Sequence, residues 1–417
     1  MRIILYELKK VWNIKLLAVI CAFFVIYSLL AANALIENYP RGTWLRDVDI
    51  AHHLSENYGR MLDIGDYEDF LKYEETIIQE VNEFISSRQV FADAGILDFD
   101  DFQAFQAEIG LLFDTLTDEE LMQREIIRGE MGDIIRLRDG SIIHPNPHEP
   151  SMAFRKWIDF HNAVGKYSMN VLKDTEWASF IDNFITYNPL SERELRRAVE
   201  IRDSGEMVNI MPYETMRNTW ENFMIFAYFI IPATLVLVSP LITTDRARKI
   251  NWLQYSSKQG RGIFAKQFIA VIISAVLATT FFILIFACIY NSATGTAVFW
   301  DNGINSFLSN AYYWLSITFG QYCLLMTGII YLLSVSAAVI AFILSRYSKN
   351  IVTLMIKLVP TAVVAIFFLV WILEGFLIVY YVEGNILIKM FSLAAVFIAG
   401  TGTALFIANK EKKIDII

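Results

Sequence analysis

The sequence predicts an all-α polytopic membrane protein with six transmembrane helices and a mainly helical extracytoplasmic domain that carries a small β-hairpin. Hydrophobic residues make up 55 % of the 417 positions, which is too apolar for an ordinary soluble protein. Several uncharged apolar runs reach the roughly 20 residues that a helix needs to cross a bilayer. In addition, 36 of the 44 Asp and Glu residues lie between Glu37 and Glu214. The same stretch contains only about half of the 35 Lys and Arg residues. This acidic stretch therefore has the composition of a soluble domain.

The predicted order begins with a cytoplasmic interfacial helix and places the acidic domain between the first two spans. The first half comprises this helix (1–14), the first span (15–36), the extracytoplasmic domain (37–220), the second span (221–244) and a cytoplasmic loop (245–266). The second half comprises the third span (267–290), an outer segment (291–318), the fourth span (319–345), the fifth span (350–373), an outer hairpin (374–385), the sixth span (386–408) and a cytoplasmic tail (409–417).

Basic residues near the ends of the apolar runs predict the orientation, because short cytoplasmic segments carry the excess of Lys and Arg. Such residues occur before the first span, in the loop 245–266, between the fourth and fifth spans, and after the sixth. Residues 291–310 have none. Both termini are therefore predicted inside and residues 37–220 outside, in the cytoplasmic membrane of a bacterium.

A cleaved signal peptide is the alternative interpretation of the first 35 residues, because Ala32-Asn33-Ala34 resembles a cleavage site. The apolar run from Leu16 to Ile36 is long for a signal peptide, and Glu7 lies in the leading segment. An uncleaved first span is the favoured prediction.

Residues 1–14 mix apolar side chains with charges in a pattern typical of a helix that lies in the membrane interface. The residues assigned to this interfacial helix are Glu7, Lys9, Lys10 and Trp12, with the tryptophan at headgroup depth. A frayed cytoplasmic start is the simpler alternative.

The acidic domain contains several helix signals and one hairpin signal. Apolar residues recur at helical spacing from Asp66 to Ser87, and capping boxes open helices at Thr117 and Ser191. The turn Arg138-Asp139-Gly140-Ser141 between isoleucine pairs predicts a β-hairpin.

No catalytic or metal site is predicted in this domain. His144 and His148 could join a carboxylate around zinc, but two prolines between them exclude the spacing of a helical ligand pair, and there is no HExxH sequence. Solvated loop histidines are the favoured interpretation. The acidic charge would repel nucleic acid, so none is expected as a partner.

Charged residues at mid-depth of a span are usually retained for function, and the candidates are few. Lys357 lies close enough to the inner end of its span to reach the interface. Glu374, Glu383 and Lys389 flank a short apolar piece that cannot span, so they are assigned to an outer gate or pathway. Placement near the outer headgroups is favoured over a buried relay.

The loop 245–266 combines a short amphipathic helix with a glycine-containing turn, a pattern suited to a lever that meets a cytoplasmic partner. A plain positive-inside loop is the competing interpretation. The residues assigned to coupling are Asp245, Arg246, Arg248, Lys249, Trp252, Leu253, Ser256, Ser257, Gly260 and Arg261.

On these features the chain resembles a permease subunit of the ABC-2 type exporter superfamily. The residues Leu5-Tyr6-Glu7-Leu8-Lys9-Lys10 resemble that family's elbow helix, and the loop from Asp245 to Lys266 resembles its coupling helix, with Asp245 where Glu is more usual. The segment from Glu374 to Gly384 resembles its outer re-entrant element. The resemblance covers residues 1–36 and 221–417.

The resemblance implies a transport subunit that has no ATPase motif and binds no cofactor itself. It would pair with a second copy or a sister permease, contact membrane lipid, and be driven by separate ATP-binding cassette subunits that bind ATP and Mg. The substrate would be amphipathic, such as a peptide, lipid or drug. The absence of a GxxxxGK[ST] sequence in this chain agrees with ATP binding by a separate subunit.

Two other classes remain open from the sequence. A membrane-anchored sensor or assembly protein would use the acidic outer domain to bind a ligand or partner and would have no ATPase partner. A membrane enzyme would use His144 and His148 or the outer carboxylates, and would hold metal in the outer domain.

Overall fold

A computed structural model describes residues 2–32, 48–112, 115–130, 135–136, 142–143, 152–172, 180–250, 262–309, 311–379 and 386–413. The described chain is mostly helical and divides into two compact units. The first unit comprises Met1–Thr43, Thr215–Ile304 and Ala311–Ile417. The second comprises Trp44–Glu214 and Asn305–Asn310.

The first unit opens with a bent pair of helices, α1 (Arg2–Val11) and α2 (Ile14–Tyr27), which continues as a π-helical turn over Ser28–Ala32. The two axes differ by 51°. Asn13 makes the break, because its extended backbone ends α1 and its side chain accepts a hydrogen bond from the amide of Lys15 at the start of α2. The predicted interfacial helix is therefore a separate element from the apolar helix that follows it.

The remaining long helices of this unit overlap the predicted spans, and several of them extend beyond the predicted bounds. They are α11 (Tyr213–Val238), the short α12 (Pro240–Ala247) that continues it, α13 (Ile263–Thr294), α14 (Phe319–Arg346), α15 (Ile351–Leu373) and α16 (Ile386–Lys413). Among the described residues, five helical segments are long and apolar enough to cross a membrane, or six if the bent pair counts as one span. The number of long apolar helices thus indicates a multi-pass membrane protein.

Capping boxes fix two of these helix starts. Thr318 and Gln321 exchange side chain to backbone hydrogen bonds at the start of α14, and Asn350 and Thr353 do so at the start of α15. Each box satisfies amides that would otherwise lack a partner at a helix end.

Aromatic side chains form the packed interior of the first unit. Phe24 lies 5.0 Å from Phe229 and 4.9 Å from Phe282 between ring centroids, which joins α2, α11 and α13. By contrast, only 22 % of the apolar window of α15 and 17 % of that of α16 are buried within the chain. The apolar faces of these two helices are therefore available to lipid tails or to another membrane protein.

Two connecting segments of the first unit pair with each other through their backbones. Leu377 accepts a hydrogen bond from the amide of Trp314, and Val379 donates its amide to the carbonyl of Tyr312. The described part of the predicted outer hairpin, 374–379, is therefore an irregular segment whose backbone is held by residues 312–314. Residues 380–385, with Glu383, lie outside the described residues.

The second unit contains eight described helices besides two short turns. They are α3 (Val48–Tyr58), α4 (Ile64–Ser87), α5 (Gln89–Asp93), α6 (Phe99–Leu112), α7 (Asp118–Glu130), α8 (Met152–Tyr167), α9 (Phe180–Tyr187) and α10 (Glu192–Asp203). A π-helical turn covers Ser168–Leu172 and a 3₁₀ turn covers Glu206–Val208.

Helix α4 buries the apolar side that its sequence predicts, with Phe70, Ile77, Val81 and Ile85 fully buried. One hydrophobic cluster in the core of this unit consists of Val81, Ile85, Phe91, Ile96, Phe99, Phe102 and Phe154. Both predicted capping boxes have the expected hydrogen bonds, Thr117 with Glu120 and Ser191 with Glu194.

Residues 305–310 belong to this second unit although the sequence predicts them as part of the outer segment 291–318. The Ser306 hydroxyl donates to the carbonyl of Met211, and the Phe307 ring lies 5.2 Å from that of Tyr167. The hydropathy pattern cannot show this, because the contacts join residues about a hundred or more positions apart.

The strand pair Ile135–Arg136 and Ile142–Ile143 is antiparallel, with Ile135 opposite Ile143. The turn that would join the strands, 137–141, lies outside the described residues, so the hairpin stays a prediction.

Candidate functional site

The strongest candidate site of the first unit is a group of four polar side chains, three of them buried, that joins α1, α12 and α13. We call it the Asp245 cluster, and it consists of Glu7, Lys10, Asp245 and Gln267. Glu7 is 1 % exposed, Asp245 3 % and Gln267 4 %. Burial of this kind is costly for charged groups unless every one of them has a partner.

Lys10 supplies the only positive charge of the Asp245 cluster. Its ammonium lies 2.8 Å from Glu7 Oε1 and 3.0 Å from both carboxylate oxygens of Asp245. The Gln267 amide donates to Glu7 Oε2 at 3.1 Å and to Asp245 Oδ2 at 2.9 Å. The cluster thus pairs two carboxylates with one ammonium, and the neutral amide supplies the remaining donors.

The positions along the helices explain how this cluster assembles. Glu7 and Lys10 lie one helical turn apart on α1, so both side chains leave the same face. Val11 completes this face, since it is also buried, whereas Leu5 and Tyr6 are exposed. One further polar contact ties the end of α1 to α13, because the Trp12 indole donates to the Ser274 hydroxyl at 3.2 Å.

Arg246, the residue after Asp245, connects α12 to the end of α14. Its guanidinium donates to the carbonyl of Arg346 at 3.0 Å and to the carbonyl of Ser348. One of these carbonyls belongs to the last residue of α14 and the other lies two residues beyond it, where backbone acceptors lack partners within the helix. The Arg346 side chain in turn lies 2.6 Å from Glu411 near the end of α16, and Glu411 is 4 % exposed.

The ends of four span helices and of α1 therefore form one connected polar network. Its members come from α1, α12 at the end of α11, the start of α13, the end of α14 and the end of α16. This end of the helices is the one predicted to face the cytoplasm. A displacement of α12 would have to break buried ionic contacts or move all of these helix ends together.

The structure places the other residues that the sequence assigned to coupling in two groups. Arg248 and Lys249 follow α12 and are exposed, and Lys249 has a left-handed backbone with φ of 55° that turns the chain away from the helix. Trp252, Leu253, Ser256, Ser257, Gly260 and Arg261 lie outside the described residues. Of the residues assigned to the interfacial helix, Lys9 is exposed and the other three take part in the contacts above.

Two residues of the predicted outer gate lie next to each other. The Lys389 ammonium donates to the backbone carbonyl of Glu374, and Lys389 is only 3 % exposed. Trp220 binds the neighbouring carbonyl of Leu373 through its indole at 2.7 Å. Lys389 is thus buried within the unit, and its predicted placement near the outer headgroups stays a prediction.

Lys357 has the position that its sequence context suggests. It is half-buried on α15, and its ammonium donates to the carbonyl of Tyr347 at 2.7 Å, just before the helix begins. The long side chain therefore reaches back towards the end of the span.

Two described histidines of the second unit lie against an aromatic ring or a carboxylate. His53 stacks on Tyr73 with centroids 3.6 Å apart, and His161 lies 2.9 Å from Glu74. Burial, together with the charge of Lys156, lowers the pKa of His53. Within the described residues no three His, Cys, Asp or Glu side chains are arranged to hold a metal ion, and His144 and His148 lie outside that part of the chain.

Comparisons with known proteins give no relative from which a function could be carried over. None of the protein-family models matches the chain, and no curated protein or solved structure matches it. The functional argument therefore depends on the residues themselves.

Sequence reasoning missed the roles of Gln267 and Glu411. Gln267 stands at the start of an apolar run and Glu411 in a charged tail, so neither differs from ordinary flanking residues. The one signal in the sequence was the position of Glu7 on the same helical face as the apolar residue Val11. A carboxylate on a face that packs against the protein requires a polar partner on another element.

Proposed function

We propose that this chain is the permease subunit of an ATP-driven exporter of the ABC-2 type. It would move an amphipathic substrate such as a peptide, lipid or drug across the cytoplasmic membrane of a bacterium. A separate subunit would bind ATP and Mg and hydrolyse the nucleotide. The observation that carries this proposal is the Asp245 cluster, which joins the interfacial helix to the start of the basic loop.

The cluster supports a mechanical role for the loop 245–266. A cytoplasmic subunit that pushed on this loop would act on α12, whose Asp245 is bound to Lys10 and Gln267. Separating one member from the cluster would leave a buried charge without its counter-ion, which costs about 3–5 kcal/mol. Moving α1, α12 and the start of α13 together avoids that cost. The force from the cytoplasmic subunit would thus reach the spans, because these helix ends would move together.

The contacts of Arg246 extend this coupling to the fourth and sixth spans. Through the carbonyls of Arg346 and Ser348, and through the ion pair of Arg346 with Glu411, the same movement would reach the ends of α14 and α16. A simple positive-inside loop would need only exposed basic residues, and it would not require a buried acidic residue at its first position.

The uncovered apolar faces of α15 and α16 are compatible with a second permease copy or sister permease, which the resemblance implies. The acidic second unit is proposed to lie outside the cell. The proposed substrate is defined by its chemical class, an amphipathic molecule.

Co-purification tests the proposal most directly. The full chain, tagged and isolated from the membranes of its source organism in mild detergent, should bring with it a separate P-loop ATPase that hydrolyses ATP. A preparation that never contains such an ATPase would overturn the proposal. It would favour a membrane-anchored sensor or assembly protein whose acidic domain binds a ligand or partner.

A loop variant tests the coupling assignment within that complex. Gly260→Pro should abolish the stimulation of ATP hydrolysis by the permease while the protein still inserts, because proline removes the backbone freedom of the predicted turn. Gly260→Ala is the matched control and should retain most of the stimulation. Normal stimulation in Gly260→Pro would contradict the coupling role of the loop.

A further inference from the structure

A groove of about 900 Å³ lies between the bent pair α1–α2 and the junction of α11 with α12. It is lined by polar residues at the end where α1 turns into α2 and by apolar residues along the two longer helices. The Asp245 cluster closes one side of it, through Lys10 and Asp245. The groove is open to the surroundings of the protein, so its occupant would come from solvent or from the bilayer.

Three cations surround the polar end of this groove. Lys9, Lys15 and Arg248 all line it and all are exposed. In the part of the chain that the structure describes, none of the three has a carboxylate within ion-pair distance. The nearby carboxylate of Asp245 is already bound by Lys10 and Gln267. The polar end therefore has an excess of positive charge that favours an anionic ligand.

The amino-terminal end of α2 adds to this preference. Asn13, Ile14 and Lys15 line the groove at the point where α2 begins, and the amides at a helix start carry a partial positive charge. This contribution is secondary to the three side-chain cations.

The apolar wall of the groove continues directly from the cations along the helices. Val19 lies one turn beyond Lys15 on the same face of α2, and it is 64 % exposed. On the other side, Leu237 and Leu241 form the wall, and Arg248 lies two turns after Leu241. A ligand that fills the groove must therefore carry an anionic group at one end and an apolar chain at the other.

We propose that this groove is a binding site for one anionic phospholipid, whose phosphate lies among Lys9, Lys15 and Arg248 and whose acyl chain follows Leu16 and Val19. A phospholipid of the surrounding leaflet meets both requirements, whereas a free phosphate meets only the first. Basic residues near a membrane surface are each worth roughly a fivefold change in affinity for anionic lipid. The site does not depend on the transport function proposed above.

Native mass spectrometry of the full chain in mild detergent tests this site with two lipids of identical acyl chains, phosphatidylglycerol and phosphatidylcholine. The triple variant Lys9→Gln, Lys15→Gln, Arg248→Gln should bind phosphatidylglycerol at least about tenfold more weakly than the unmodified chain. The matched control is Arg2→Gln, Lys349→Gln, Lys410→Gln, which removes the same charge from exposed positions outside the groove. It should change the affinity less than about twofold.

Equal losses in the two triple variants would overturn the proposal, because they would show a diffuse attraction to the basic surface. Equal binding of the two lipids by the unmodified chain would overturn it as well.

A second variant tests the shape of the groove without changing its charge. Thr244 is exposed and lines the groove, so Thr244→Trp should fill it and also weaken phosphatidylglycerol binding at least about tenfold. Unchanged binding in this variant would show that the lipid does not enter the groove. Millimolar inorganic phosphate should leave the lipid bound, and complete displacement by phosphate would identify an anion site in place of a lipid site.

Discussion

Lys10 and Asp245 form a partly buried salt bridge across 235 sequence positions, with the ammonium 3.0 Å from both carboxylate oxygens. The same ammonium also binds Glu7, so one lysine contacts two buried carboxylates. The stability of this end of the first unit therefore depends on Lys10 more than on any exposed basic residue nearby.

Replacement of Lys10 by methionine should lower the stability of the protein by about 3–5 kcal/mol, because it removes the ammonium that contacts the buried carboxylates of both Glu7 and Asp245. The thermal unfolding of the full chain in detergent, followed by tryptophan fluorescence, measures this loss. Lys9→Met on the same helix is the control and should change stability by less than about 0.5 kcal/mol, since Lys9 is exposed. Equal effects of the two substitutions would show that the cluster does not hold α1 in place.

Arg246→Lys should weaken the link between α12 and the end of α14 although the charge is retained. The planar guanidinium reaches two carbonyls at once, those of Arg346 and Ser348, and an ammonium on a shorter stem cannot keep both geometries. We expect a loss of about 1–2 kcal/mol in thermal stability, typical of a hydrogen bond to a charged donor.

Arg248→Lys provides the comparison for Arg246→Lys, because Arg248 is exposed and its guanidinium forms no ion pair with the described residues of the first unit. It should leave the unfolding transition unchanged. A neutral result for Arg246→Lys would mean that the two carbonyl contacts contribute nothing to stability.

Gly320→Ala should be destabilising by about 1–3 kcal/mol, since a methyl group there would overlap the indole of Trp300. An added Cβ would lie 2.5 Å from the Trp300 Cε2 atom, and the two backbones are joined by a hydrogen bond of 2.9 Å from the Gly320 amide. Gly328→Ala on the same helix is the control, because an added Cβ there meets no atom within 4 Å. The double variant Gly320→Ala, Trp300→Ala should recover part of the stability lost in Gly320→Ala, because it removes the indole that the new methyl group overlaps.

The second unit should lose stability as the pH falls below about 6.5, the usual pKa of histidine. Burial and the neighbouring Lys156 lower the pKa of His53 in the folded protein, while Glu56 and Asp69 partly oppose them. Because the folded-state pKa lies below the unfolded one, His53 contributes stability above about pH 6.5 that is lost as the pH falls through its folded value.

His53→Phe keeps an aromatic ring on Tyr73 and removes this titration, so its melting temperature should fall less between pH 7 and pH 5 than that of the unmodified chain. Burial also lowers the pKa of His52, and His52→Phe is therefore the parallel test for the neighbouring position. Identical pH profiles for all three proteins would exclude both histidines as the cause.

The span helices could be predicted from the sequence because crossing a membrane requires a long apolar segment, and that requirement is local. The fourth and fifth spans are predicted within a residue or two, since Thr318 and Asn350 supply capping side chains at their starts. The helix that follows the acidic domain begins earlier than predicted, at Tyr213, because its first turns are polar and hydropathy does not distinguish them from a loop.

The candidate site could be predicted only in part. The sequence assigns Glu7, Lys10 and Asp245 to functional segments, but each appears there as a charge that water would surround. Their burial arises from the packing of α1 on α13, which joins residues more than 200 positions apart. Periodicity within one helix can show that Glu7 shares a face with Val11, but it cannot identify the partner on another helix.

Glu411 gives helix α16 a defined end beyond its apolar part. Hydropathy alone ends this helix at Ala408 and treats residues 409–417 as a tail, whereas the helix extends to Lys413 and binds Arg346 through Glu411. A shortened protein designed to stop at Ala408 would lose this contact and leave the Arg346 guanidinium without its carboxylate. Fusion partners and affinity tags should therefore be joined after Lys413, so that purification does not itself disturb the helix ends on which the coupling experiments depend.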